Sequence, residues 1–370
     1  MKGTGSPRPE VVVEAEGRGA LRKPDGPLDC GNSGTTLRLL AGVMASASFP
    51  TVLTGDASLS SRPMERVAEP LRRMGAEVRT TDGHPPLEVR GRDLTGIRFR
   101  TPEPSAQVKS AVLLAGVDAS GETTIEESAQ TRDHTERALS ALGAPVRSEP
   151  GTVTVSAYQH GGFSVTVPGD PSAAAFLVAA AALAGGELEV REVGLNPSRL
   201  HFLQVMGRMG IHTEMVAERE ELGEPVGRLW VHSVDGLTGT DVQALELPLV
   251  IDEVPILAVL AAYARGESSL VDAGELRVKE SDRLESIARG IRGLGGHAGV
   301  EGDDLVVAGG GLAGGLAEAA HDHRIAMALA VAALGADGPS TVDGIEWAEV
   351  SFPGFVAALR AMGADIEVEP

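Results

Sequence analysis

One cysteine, Cys30, serves all 370 residues. That excludes an internal disulfide and any thiolate metal cluster, and leaves Cys30 the part of a small buried residue. Aromatic residues are scarce as well, 3% of the chain against 42% hydrophobic, so the interior has to be packed with Ala, Val and Leu in closely stacked layers. Positive charge is outnumbered, with 32 Lys and Arg against 52 Asp and Glu and a net charge of −20. No basic run or aromatic-interleaved patch occurs, which argues against nucleic acid and anionic membrane as partners. No apolar stretch reaches the roughly eighteen residues of a membrane span, and the first twenty residues lack a signal-peptide core, so the expected location is the cytoplasm. There is no His-x-x-x-His or clustered carboxylate spacing for a metal, and no Gly-x-Ser-x-Gly elbow for a serine nucleophile.

What the chain does have is a repeat. Leu71–Val78 reads Leu-Arg-Arg-Met-Gly-Ala-Glu-Val, with echoes at 139–146, 205–211, 291–297 and 359–366. The signature glycines, Gly75, Gly143, Gly210, Gly295 and Gly363, recur about every 70 residues with one longer step. Each unit opens with an Ala/Leu-rich helix apolar all round, at 37–47, 108–116, 173–184, 256–264 and 325–334, and such helices must be buried. A strand follows, as at 123–126 or 268–272, then a more polar helix ending at the signature Gly, then one or two strands, as at 87–89, 152–155 and 304–307. The fold class this implies is α/β (α+β), with sheets outside and apolar helices inside, in two similar globules covering residues 1–162 and 163–370. Five units are visible. Counting back from Gly75, a sixth is expected in front, with Val11–Val13 as its last strand.

The start of every buried helix is polar: Asp29–Thr36, Ser105–Lys109, Gly169–Ser172, Asp252–Pro255 and Asp322–Arg324. For any one of them helix capping suffices, and Gly169–Ser172 is left with that role. A helix start is also an anion site, however. Arg62, Arg132 and the Lys279–Arg283 run stand at matching places in the first, second and fourth of these units, where they would face one cleft. An acidic protein that gathers arginines there fits a small, multiply anionic substrate, because Arg grips carboxylate and phosphate bidentately. Asp252 and Glu280 are the carboxylates among these cations and are available for proton transfer. Positive neighbours suit Asp252 to be a base, whereas Glu280 as an acid requires burial to offset them. His323 is a further proton carrier or a hydrogen-bonded structural residue.

These strings, eight of them in order from Leu28–Arg38 to Asp322–Met327, resemble the enolpyruvyl transferases, and among them the branch that acts on shikimate 3-phosphate. The resemblance implies a two-globule inside-out α/β barrel of βαβαββ-like repeats. It implies transfer of the carboxyvinyl group of phosphoenolpyruvate to the 5-hydroxyl of shikimate 3-phosphate with release of phosphate, in aromatic amino acid synthesis, by a monomer without cofactor or metal. Carried over by position, Ser105, Ala106, Gln107 and Arg132 hold shikimate 3-phosphate, with Lys279 and Asp252 at its hydroxyls. Asn32, Gly34, Arg62, Arg283 and Arg324 hold phosphoenolpyruvate, and Gln107 touches both. Asp252 takes the proton of the attacking hydroxyl. Glu280 protonates the methylene carbon and later helps remove a proton from the tetrahedral adduct.

One departure carries a further expectation. The family's opening segment, a Lys-Ser pair and an Arg that contact both substrates, has no counterpart before Gly31. A missing charged group at the substrates costs about 2–4 kcal/mol of transition-state stabilisation, so the chain alone is expected to be inactive or nearly so. Two alternatives follow: a ligand-binding remnant without turnover, and transfer to a UDP-amino sugar, which predicts a reactive loop cysteine.

Overall fold

The computed structural model describes residues 11–14, 17–232 and 234–369. The five Ala/Leu-rich runs are helices Gly34–Met44, Ala106–Gly116, Pro171–Leu183, Val254–Tyr263 and His323–Leu334. Each begins two or three residues ahead of the run read from the sequence, because the end of the start string belongs to the helix. Ser33, Ser105, Asp170 and Asp322 each accept a backbone N–H of the first turn. The Val254–Tyr263 helix has no side-chain cap. The capping reading therefore fails at Asp252, whose carboxylate is left to other partners. All-round apolarity has the expected consequence: nine of the ten residues of that helix are buried.

The units close alike. In the first half two four-stranded sheets share one order. Leu28–Asp29 runs parallel to Pro50–Thr54, which pairs antiparallel with His84–Arg90 and that with Glu77–Thr81. Arg98–Arg100, Thr123–Glu126, Thr152–Val155 and Val146–Glu149 repeat the pattern. In the second half the three-stranded sheets centre on Glu224–Val231 and Asp304–Ala308, and a parallel pair joins Gly315–Glu318 to Ser340–Asp343. Single parallel bridges, Gly169 to Val193 and Val242 to Leu270, stand where the leading strand would be. A unit thus runs edge strand, apolar helix, strand, polar helix, hairpin.

The repeated glycine is a helix terminator. Gly75 has φ +111° and its N–H bonds to Arg72 O, while Ala76 N–H reaches back to Leu71 O. The same pair of bonds recurs at Gly143, Gly210, Gly295 and Gly363. This is the Schellman arrangement, and its left-handed residue is why glycine returns there.

Two separate apolar cores result, one from Cys30 to Val155 and one from Ala174 to Leu359. Residues 156–168 between them form neither helix nor strand. Val11–Val13 are exposed and in no strand, contrary to the expectation placed on them. No helix among the described residues is long and apolar enough to cross a membrane.

Candidate active site

The site begins with a glycine in the first core. A Cβ on Gly42 would stand 2.1 Å from Ala111 O, so the Gly34–Met44 and Ala106–Gly116 helices touch backbone to backbone. Their starts consequently lie side by side, and Gln107 Nε2 donates to Thr35 Oγ1 at 2.7 Å while its Oε1 accepts from Arg38. Gly34 is needed for a second reason. A Cβ there would lie 3.2 Å from an Arg38 nitrogen and 3.3 Å from one of Arg62, so its absence lets both guanidinium groups approach the helix start.

From the second core, the segment before helix Val254–Tyr263 brings Asp252, the start of helix Arg283–Gly293 brings Lys279, Glu280 and Arg283, and the start of His323–Leu334 brings Arg324. These meet the first core directly. Arg62 Nη2 lies 3.2 Å from Glu280 Oε1 and donates to Asn32 Oδ1 at 3.0 Å. Arg132 reaches across to pair with Asp252. Arg283 is the hub: it pairs with Glu280, lies 2.8 Å from Asp322 and 3.6 Å from Asp252. Arg324 donates to Asp252 O at 3.2 Å. Lys279 pairs with Glu275 at 3.3 Å.

A cavity of about 310 Å³ is enclosed by these groups. Asn32, Gly34, Arg62, Ser105, Ala106, Gln107, Arg132, Asp252, Lys279, Glu280, Arg283 and Arg324 all line it. So do Arg38, Arg66 and Glu275, giving seven Arg and Lys side chains against three carboxylates in an otherwise strongly acidic chain. The Nε atoms of Arg38, Arg62 and Arg66 are buried with no hydrogen-bond partner. Cations that outnumber the acids among them leave a positive hollow that suits a phosphate or carboxylate.

The field acts on the two carboxylates in the same direction. Burial pushes Asp252 up, but Arg324, Arg132, Lys279 and Arg283 outweigh it and hold the carboxyl well below its ordinary value. Burial also pushes Glu280 up, and there too the cations, Arg283 and Arg62, win and lower it. The burial that Glu280 requires as an acid is present but is outweighed by these cations. His323 lines the cavity and is lowered by burial, Arg324 and Arg283, so its ring is neutral. Arg38 is pulled down to about 9 by burial, Arg66 and Arg62, which leaves it charged at neutral pH. Glu253, buried beside Asp252, moves the other way, raised by burial and by the Asp252 charge.

Arg38 and Arg66 were not singled out by sequence reasoning. Their signal was available: Arg38 is a lone charge among the apolar residues of its helix, and Arg66 follows Arg62 by four residues, at the start of the next helix. Cys30 is buried, and its thiol is raised by burial and by Asp29, the opposite of a reactive cysteine. Among the described residues no three His, Cys, Asp or Glu side chains converge as a metal site.

Comparison with known proteins finds relatives over nearly the whole chain. The family model described as EPSP synthase (3-phosphoshikimate 1-carboxyvinyltransferase) matches residues 7–359. The 3-phosphoshikimate 1-carboxyvinyltransferase of Halorhodospira halophila is 47% identical over 364 residues, 97% of this chain and 82% of that protein. Its counterpart from Salinibacter ruber is 45% identical, covering 93% and 81%. A solved structure of EPSP synthase from Acinetobacter baumannii superposes with a TM-score of 0.84 at 41% identity, covering 95% of this chain and 82% of that one. Matches of this extent lend no support to the expectation of an impaired chain.

Proposed function

Because the chain belongs to the EPSP synthase (3-phosphoshikimate 1-carboxyvinyltransferase) family, a family of shikimate-pathway transferases, we propose that its cavity joins the 5-hydroxyl oxygen of shikimate 3-phosphate to C2 of phosphoenolpyruvate and expels phosphate. The observation that carries this reading is the excess of cations in one hollow that also holds an ionised Asp252.

Shikimate 3-phosphate takes the start of the Ala106–Gly116 helix. Ser105, Ala106 and Gln107 supply hydrogen bonds, Arg132 supplies charge, and Lys279 and Asp252 meet the ring hydroxyls. Phosphoenolpyruvate takes the start of the Gly34–Met44 helix, with its phosphate at Asn32, Gly34 and Arg62 and its carboxylate at Arg283 and Arg324. Gln107 lies between the two helix starts and contacts both substrates. Asp252 accepts the hydroxyl proton as oxygen bonds to C2, and Glu280 gives a proton to the methylene carbon. The tetrahedral adduct then loses phosphate from C2 and a proton from the new methyl group, back to Glu280, leaving the enol ether. The surrounding guanidinium groups stabilise the negative charge as it moves.

Glu280 acquires its proton through substrate binding. Its carboxylate pairs with Arg62 and Arg283. Phosphoenolpyruvate competes for both partners and adds negative charge beside the carboxylate, and each change raises its pKa.

The two cores are read as two globules, residues 1–162 and 163–370, with substrates between them, acting as a monomer in the cytoplasm. Mass spectrometry of the chain incubated with both substrates tests the reading. It predicts the carboxyvinyl ether of shikimate 3-phosphate; a chain that binds shikimate 3-phosphate and yields no ether would favour a ligand-binding remnant instead.

A further inference from the structure

Lys109 takes no part in the chemistry above, yet it is 1% exposed. It lies on the Ala106–Gly116 helix, one turn in from Ser105. Its Nζ is 3.0 Å from Glu127 Oε1 and 2.6 Å from Glu136 Oε1, and both carboxylates are buried with it. A lysine is accommodated at such depth only where its charge is matched. Placing two acids around it means that the chain flanking Arg132 on both sides is drawn to one ammonium.

The path from that ammonium to the cavity is short. Glu127 Oε1 also accepts the Thr131 backbone N–H at 3.1 Å and the Thr131 hydroxyl, and Arg132 is the next residue. The backbone of Glu127 is fixed to the sheet, its N–H donating to Gly151 O at 2.8 Å. Beyond Arg132, Thr135 Oγ1 donates to Ser110 Oγ at 2.7 Å, beside Lys109 on the same helix. Thr131 also lines a second cavity, of about 750 Å³, whose walls include Lys109, Glu127 and Glu136. The 127–133 segment, which has no helix or strand of its own, is therefore a partition with open space on both faces. Its far end is tied at Asp133, which accepts from Arg137 and Asn196 at 2.8 Å each, and its near end at Glu127.

We propose that Lys109 is a positioning residue: through Glu127 and Thr131 it fixes Arg132 relative to Ser105–Gln107, so that one buried ammonium sets both halves of the shikimate 3-phosphate subsite. This rests on the substrate assignment made above. It explains why a charge is retained on a helix whose other buried side chains are nearly all apolar.

The test compares Lys109→Met, which keeps length and loses charge, with Glu127→Gln, which keeps an acceptor for Thr131 and loses the ion pair. Hydrogen exchange across 127–133 needs no ligand. It should accelerate at least about tenfold in Lys109→Met, as for loss of a buried charged anchor, while the Gly34–Met44 helix is unchanged. In the transferase assay, KM for shikimate 3-phosphate should rise roughly tenfold or more while KM for phosphoenolpyruvate stays within about twofold, and adding Lys109→Met to Arg132→Ala should cost almost nothing further. Should Lys109→Met fail to fold, Glu127→Gln gives the same readings. Unchanged exchange at 127–133, or multiplicative effects of Lys109→Met and Arg132→Ala, would overturn the tether. Failure of the unmodified chain to bind shikimate 3-phosphate by calorimetry would instead overturn the substrate assignment, with the exchange result still deciding whether Lys109 holds the segment.

Discussion

Gly42 and Ala111 meet with no room for a methyl group between them: a Cβ on Gly42 would lie 2.1 Å from the Ala111 carbonyl oxygen. That contact is why the Asn32–Gly34 turn and the Ser105–Gln107 helix start share one cavity. Ala in place of Gly within a helix ordinarily gains up to about 1 kcal/mol. Here the methyl group meets backbone, which cannot rotate away, and overpacking of this kind costs about 1–3 kcal/mol. Gly42→Ala is therefore expected to lower the thermal midpoint. It should also part the two helix starts, raising KM for both substrates. A variant with unaltered midpoint and kinetics would show that the helices do not depend on this contact.

Phosphoenolpyruvate binding should take up a proton at Glu280. The Glu280 pKa is lowered, with burial outweighed by Arg283 and Arg62; a bound anion that shares those partners would raise it. A group whose pKa rises on binding takes up a proton between its free and bound values, so affinity should strengthen as pH falls through that window. Calorimetry in two buffers of different ionisation heat reads the uptake directly. Glu280→Gln should take up fewer protons than the unmodified protein, by as much as about one. Equal uptake would remove Glu280 as the group that titrates.

Two buried arginines should respond oppositely to removal. Arg283 serves Glu280, Asp322 and Asp252, and Arg283→Met strands those acids, with an expected loss of about 3–5 kcal/mol of stability. Arg38 forms no ion pair among the described residues: burial, Arg66 and Arg62 disfavour its charge against the pull of Glu275, and its hydrogen bonds go to Gln107 and Pro63 O, so Arg38→Met should lower the thermal midpoint far less than Arg283→Met. Its cost should fall on ligand binding instead, roughly ten- to a hundredfold in affinity for phosphoenolpyruvate, as for one charged hydrogen bond. Equal losses of stability in the two variants would contradict the picture of Arg38 as a cation held ready for an anion.

Much of this was legible in the residues because the fold repeats itself. Gly75 and its four equivalents announce the same left-handed helix end, and the Ala/Leu-rich runs announce helices that have to be enclosed. Asp252, Glu280 and the arginines could be singled out because equivalent positions in repeated units face the same way. Arg38 and Arg66 escaped notice, since a charge inside an apolar helix reads locally as a fault and becomes intelligible only once Gly34 is seen to give it space. The strand expected at Val11–Val13 failed for the converse reason: three consecutive valines have strong strand propensity, but a strand also needs a neighbour to pair with. Lys109 was legible as part of a string and not as a buried ion, because its two glutamates come from 18 and 27 residues further along the chain.

The most direct test of the account is phosphate release from phosphoenolpyruvate, measured with and without shikimate 3-phosphate, on the unmodified chain and on Asp252→Asn. The account predicts release only when both substrates are present, and a fall of roughly 10²–10⁴ in kcat on removing the base. Release that ignores shikimate 3-phosphate, or that survives unchanged in Asp252→Asn, would contradict it.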